Sequence, residues 1–243
     1  SLKNLNKLVN LKTKLLLLSC LFSAYSIADE NTIDFESAVE EFTEATIETA
    51  PVDFTDPTAA YSSVQLGYNS EGFDTGFGYA RTITDNWAAL LFAQSLNNFD
   101  TYRVRAAALS TNFGSGVMGD YLYDDRSDTH TFVLNAMQVL PLHERLIIAP
   151  VIGVGAISSD NLDKKVPIAM AQLYSVVTIT DQASIMIAPI YTTSLSDQTL
   201  KINALEWESS FSYRVSDNQN VSINYGIYDN SDNKIGLNYT YAL

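Results

Sequence analysis

The end of the chain carries its plainest pattern. Ile235, Leu237, Tyr239, Tyr241 and Leu243 alternate with Gly236, Asn238, Thr240 and Ala242, so an extended segment has one apolar, aromatic face and one small, polar face. The same period of two runs through Val221, Ile223, Tyr225 and Ile227 against Ser222, Asn224 and Gly226. It recurs in Leu205, Trp207, Phe211 and Tyr213 against Glu206, Glu208, Ser210 and Ser212. From Tyr61 onward, segments rich in Val, Ile, Tyr, Thr and Gly are broken by clusters of Asp, Asn, Ser and Gly, and no helix-length stretch of 3.6-residue period intervenes. Twelve strands are predicted: 61–68, 73–83, 87–96, 101–111, 116–124, 129–140, 145–157, 166–180, 183–193, 200–214, 220–228 and 234–243. Segment 111–124 alternates least regularly; read as a loop it lowers the count to ten, and further merging lowers it to eight. The expected fold class is all-β, a closed antiparallel transmembrane β-barrel of twelve strands. An even count returns both ends to one side, where short turns are expected at Thr84–Asn86, Pro141–Arg145, Thr180–Gln182 and Ser216–Gln219.

Alternation alone does not say which solvent each face meets, because a soluble β-barrel turns its apolar face inward. Aromatic placement favours the membrane. Tyr68, Phe73, Phe77, Tyr79, Trp87, Tyr102, Tyr191, Trp207, Tyr213 and Tyr241 fall mostly near strand ends, where the girdles of a membrane barrel stand.

The N-terminal part reads differently. Lys3, Lys7, Lys12 and Lys14 precede the apolar run Leu15–Leu18, Cys20, Leu21 and Phe22, and Ser26-Ile27-Ala28 then places small residues before the acidic Asp29-Glu30. This order predicts a signal peptide over 1–28, cleaved after Ala28. The run is short of the ~20 residues an uncleaved anchor needs, and Leu17-Leu18-Ser19-Cys20 only loosely matches a lipidation site. Residues 29–57 hold ten acids and no Lys or Arg, interrupted by Pro51 and Pro57, which predicts a disordered acidic tail on the periplasmic side. Residues 58–243 form the expected barrel.

A basic leader, an alternating barrel sequence and the terminal Tyr239-Thr240-Tyr241-Ala242-Leu243 together resemble Gram-negative outer-membrane β-barrel proteins of the porin-like class, over about residues 58–243. The resemblance implies a bacterial outer-membrane location among lipid and lipopolysaccharide, and a last strand read by the barrel-assembly machinery. Leu243 stands where that class usually ends on an aromatic residue.

Charge narrows the partners. The chain carries −14, and loss of the four leader lysines takes the mature protein to −18, which disfavours nucleic acid and other polyanions. The only cysteine lies in the leader, so neither a disulfide nor a thiolate metal site is expected in the mature chain.

Candidate chemistry lies on the expected inner face: Arg103 and Arg105 on one strand, Glu206 and Glu208 on another, with Asp74 and Asp120. Such charges either pair across a narrow lumen as structural braces or line a pore and tune its ion preference. Ala149, Val151, Gly153 and Gly155, with Met186, Ala188 and Ile190, present small or apolar groups inward, which suits a packed lumen or a route for a small apolar ligand. Charge complementarity also suggests the acidic tail folding back on Arg103 and Arg105 as a plug. No catalytic, metal or cofactor set is expected. His130, with Asp128 and Ser127 nearby, lacks an elbow motif, and His143 stands alone in a turn. Asp124–Asp128 and Ser158–Asn161 read as ordinary acidic loops, and the triplets at Asn220 and Asn238 as parts of strands. The leading expectation is a porin-like barrel passing small solutes, cation-preferring and not an enzyme. Its rivals are a non-conducting structural or interaction barrel with a packed lumen, a carrier of small apolar ligands, and a lipid-modifying barrel enzyme.

Overall fold

The computed structural model describes Phe54 and residues 61–160, 162, 164–196, 200–229 and 232–243. The predicted leader, and the acidic tail apart from Phe54, lie outside the described residues. Thirteen strands follow: β1 (Ser63–Asn69), β2 (Gly72–Thr84), β3 (Trp87–Leu96), β4 (Thr101–Ser110), β5 (Ser115–Asp124), β6 (Thr129–Gln138), β7 (Leu140–His143), β8 (Leu146–Ser159), β9 (Val166–Thr178), β10 (Ala183–Ser194), β11 (Asn203–Ser216), β12 (Gln219–Ile227) and β13 (Lys234–Ala242). Each pairs antiparallel with its sequence neighbour, and β1 pairs with β13. Both β6 and β7 pair with β8, so they form one stave interrupted at Val139, and the barrel closes with twelve staves.

Segment 111–124, the ambiguous one, is a four-residue turn followed by a full stave, β5. Its turn depends on Gly114, which has φ +63°; a Cβ there would lie 2.9 Å from the Val139 carbonyl oxygen. The turn predicted at Pro141–Arg145 is shorter than expected, because pairing with β8 continues to His143. Pro141 is tolerated there because β7 pairs on one side only, so its missing N–H interrupts no second ladder.

Following register partners once around the barrel returns to β1 displaced by about fourteen residues. With twelve staves, that stagger implies a strand tilt of about 40° and a backbone diameter of about 23 Å.

The outward face is the apolar one. Ile152 is 67% exposed, Ile235 59%, Val154 58% and Leu134 55%, forming a belt far larger than water tolerates on a monomer. Outward rings include Tyr68, Phe73, Trp87, Tyr102, Tyr191, Trp207 and Tyr213. The inward face is small or polar over β11–β13, β1 and β2, and over β3–β10 it mixes apolar residues with Arg103, Arg105, Asp120, Asn135 and Gln172. Ala149, Val151 and Ala188 are fully buried there.

Candidate functional site in the barrel lumen

Five of the six charged residues expected to face inward stand in two opposed groups. On the wall formed by β4 and β5, Asp120 accepts hydrogen bonds from Arg103 Nε (2.9 Å) and Arg105 Nη2 (2.8 Å), and a further short contact comes from Arg103 Nη2. Cross-strand register produces this arrangement: Arg105 lies directly opposite Asp120, and Arg103 is one inward position away. Asp120 was a separate candidate in the sequence; the structure makes it the shared counterion of both arginines.

Glu206 and Glu208 lie on β11, six staves from β4 and therefore on the opposite wall. Register lines climb around a tilted barrel by about seven residues over six staves. Correcting for that climb places Arg103 and Arg105 at the height of Glu206 and Glu208. The two walls interact electrostatically, since Arg103 feels the charge of Glu208. Among the described residues neither glutamate forms an ion pair. Tyr174, inward on β9, interacts with Glu208 and both arginines.

Asp74 faces the same lumen but has a different task. It accepts from Asn69 Nδ2 (2.6 Å) and from the Asn97 backbone N–H (2.8 Å), holding a turn in which Asn97, Asn98 and Phe99 all have positive φ. Beside it, a cavity of about 50 Å³ is lined by Gln65, Gly67, Gln94, Leu96 and Asn238.

No protein-family model and no curated protein sequence matches the chain. Among solved structures it is similar to the NanC porin, with a TM-score of 0.55 and 12% identity, covering 75% of this chain and 100% of that one. It is also similar to the KdgM porin in complex with disordered oligogalacturonate, with a TM-score of 0.52 and 8% identity over 75% of this chain and 98% of that one. The chain has the fold of an outer-membrane porin barrel. At such identities the likeness concerns the fold alone, and the charges of this lumen have to be read from its own residues.

At the barrel end away from the first and last strand termini, the turns are tied together by charge. Glu71, between β1 and β2, pairs with Lys234 Nζ at 2.9 Å and Arg126 Nη2 at 3.5 Å, and Arg126 also reaches Asp100 and Asp124. Below this rim Tyr228 enters from the β12–β13 connection. Burial, and then the carboxylates of Glu208, Glu206 and Glu71, push its phenol up to about 12, so it stays neutral. Loop residues also pack into the rim: Leu162 and Ile202 rest on the inward cluster Val133, Val166 and Ile168. Sequence reasoning missed Glu71, Tyr174 and Tyr228, because their roles depend on register and loop path rather than on local pattern.

His130 lies on the outer face, its Nδ1 paired with Tyr121 Oη at 2.8 Å and its ring stacked on Tyr123. It is turned away from the lumen. His143 ends β7, where its Nδ1 accepts the Arg145 N–H. Three buried polar groups lack a hydrogen-bond partner among the described residues: Ser95 Oγ, Arg105 Nε and the Asn135 side-chain amide. Each leaves a desolvation cost of about 1–3 kcal/mol uncompensated.

Proposed function

We propose that the barrel is a passive path for small solutes through a bacterial outer membrane, with Arg103, Arg105, Glu206 and Glu208 as its selectivity element. The observation that carries this reading is the opposition of these charges at one height of the lumen, on walls six staves apart. Fixed charges of opposite sign on facing walls select by charge and orientation while leaving the centre to the solute. Asp120 already neutralises part of the arginine wall, whereas the glutamate wall stays free, so this level carries a net negative charge and favours cations. The similarity to solved porins supports the reading.

Planar-bilayer recording of the purified mature protein under a KCl gradient tests it. Stable steps with cation-biased reversal are expected, shifting toward anions in Glu206→Gln/Glu208→Gln. Silence from protein that shows heat-modifiable gel migration refutes it. A second reading, a non-conducting barrel, is favoured by Leu162 and Ile202 packing inside the rim; under it wild type and variant are equally silent.

A further inference from the structure

Three observations at one height of the lumen converge on a class of solute. The first is the pair of opposed poles just described. The second is the wall between them: on β8 to β10 the inward positions at this height are Gly153, Val151, Gln172, Ala188 and Ile190, apolar or small apart from Gln172, with Tyr174 one inward position below Gln172. The third is a deficit on the cationic half. Arg105 Nε has no hydrogen-bond partner among the described residues, nor has the Asn135 amide, which is 2% exposed. Arg105 and Asn135 face inward from staves two apart, at the same height once tilt is allowed for.

We infer that this level of the lumen binds short zwitterionic solutes with apolar side groups, the chemistry of a tripeptide, with the carboxylate toward Arg105 and Asn135 and the ammonium toward Glu206 and Glu208. The inference rests on reading the barrel as a solute path and adds the substrate class. A carboxylate supplies the acceptor that the Arg105 and Asn135 donors lack. At the opposite pole two free carboxylates meet an ammonium, and both Tyr174 and Tyr228 stand within electrostatic reach of Glu208. Apolar side groups find the Val151–Ala188–Ile190 arc. Length fits as well: a backbone diameter of about 23 Å less an extended Arg and Glu leaves about 10 Å, and three extended residues span about 10 Å. An anionic solute of the same size would have one end against Glu206 and Glu208.

The test is calorimetric binding of Ala-Leu-Ala to the purified full-length mature protein in detergent, compared with the N-acetylated and the C-amidated peptides. The free peptide is expected to bind about tenfold more tightly than either blocked form. Glu206→Gln/Glu208→Gln should abolish the penalty for acetylation and keep that for amidation, and Arg105→Gln should do the reverse. Equal binding of free and blocked peptides by the wild type overturns the inference without recourse to any variant, and so do variants that change both penalties alike. Parallel bilayer recordings separate the two readings. Conduction of KCl without preference for the free peptide leaves the path and removes this solute class; selective binding without conduction leaves the zwitterion site and removes the path.

Discussion

Asp120→Asn removes the shared counterion of two arginines with almost no change in volume. In the wild type the carboxylate accepts from Arg103 Nε and Nη2 and from Arg105 Nη2, and its side chain is 14% exposed. An amide keeps one acceptor oxygen and loses the charge. Breaking a fully buried pair costs about 3–5 kcal/mol. Here the guanidinium side chains are 33% and 23% exposed, so lumen water screens part of the loss and about 2 kcal/mol is expected. The assay is urea unfolding from phospholipid vesicles, followed by the fluorescence of the two tryptophans, Trp87 and Trp207, both on the outer face. Adding Arg105→Gln to Asp120→Asn removes one uncompensated charge and should restore about 1 kcal/mol. The same single variant shifts this level of the lumen by one positive charge and should weaken cation preference in bilayer recordings. Asp120→Asn within about 0.5 kcal/mol of wild type, with a double variant no more stable than the single, would refute the assignment of Asp120 as a shared counterion.

Three further outcomes are expected. Ile152→Arg, a lipid-facing change in the middle of β8, should cost about 2–4 kcal/mol in vesicle refolding; a soluble barrel would accept the charge almost without loss. Gly114→Ala forces a Cβ toward the Val139 carbonyl at a positive φ and should cost about 1–2 kcal/mol in the same refolding measurement. Glu71→Gln frees Lys234 and Arg126 at a hydrated rim, so stability should change by less than about 1 kcal/mol. Its effect belongs in the recordings, as rim-dependent current noise that wild type shows only at high salt.

Much of the architecture is legible along the chain because a strand's side-chain period is exclusively local. Once Leu205, Trp207, Phe211 and Tyr213 share a face, Glu206 and Glu208 share the other, whatever the strand pairs with. The same reasoning puts Arg103 and Arg105 together on the inward face. The stave boundaries at β2, β3, β4 and β9 follow from breaker clusters and agree with the segments read from the sequence to within a few residues. Asp74 shows the limit of such reasoning. Its inward position is a matter of parity, but its partners Asn69 and Asn97 come from a neighbouring strand and from the β3–β4 turn, so a residue grouped with the lumen charges is a brace for a left-handed turn.

Height around the barrel is not a local property at all. It depends on the stagger summed over every pair of staves, and one slipped register would move Arg105 past Glu208 and turn half the wall inside out. The sequence by itself therefore determined which residues share a face, the apolar one or the charged one. Only closure, tilt and register decided that two arginines, their shared aspartate and two free glutamates meet at one level across the lumen, because that meeting is set by a sum over the whole circumference.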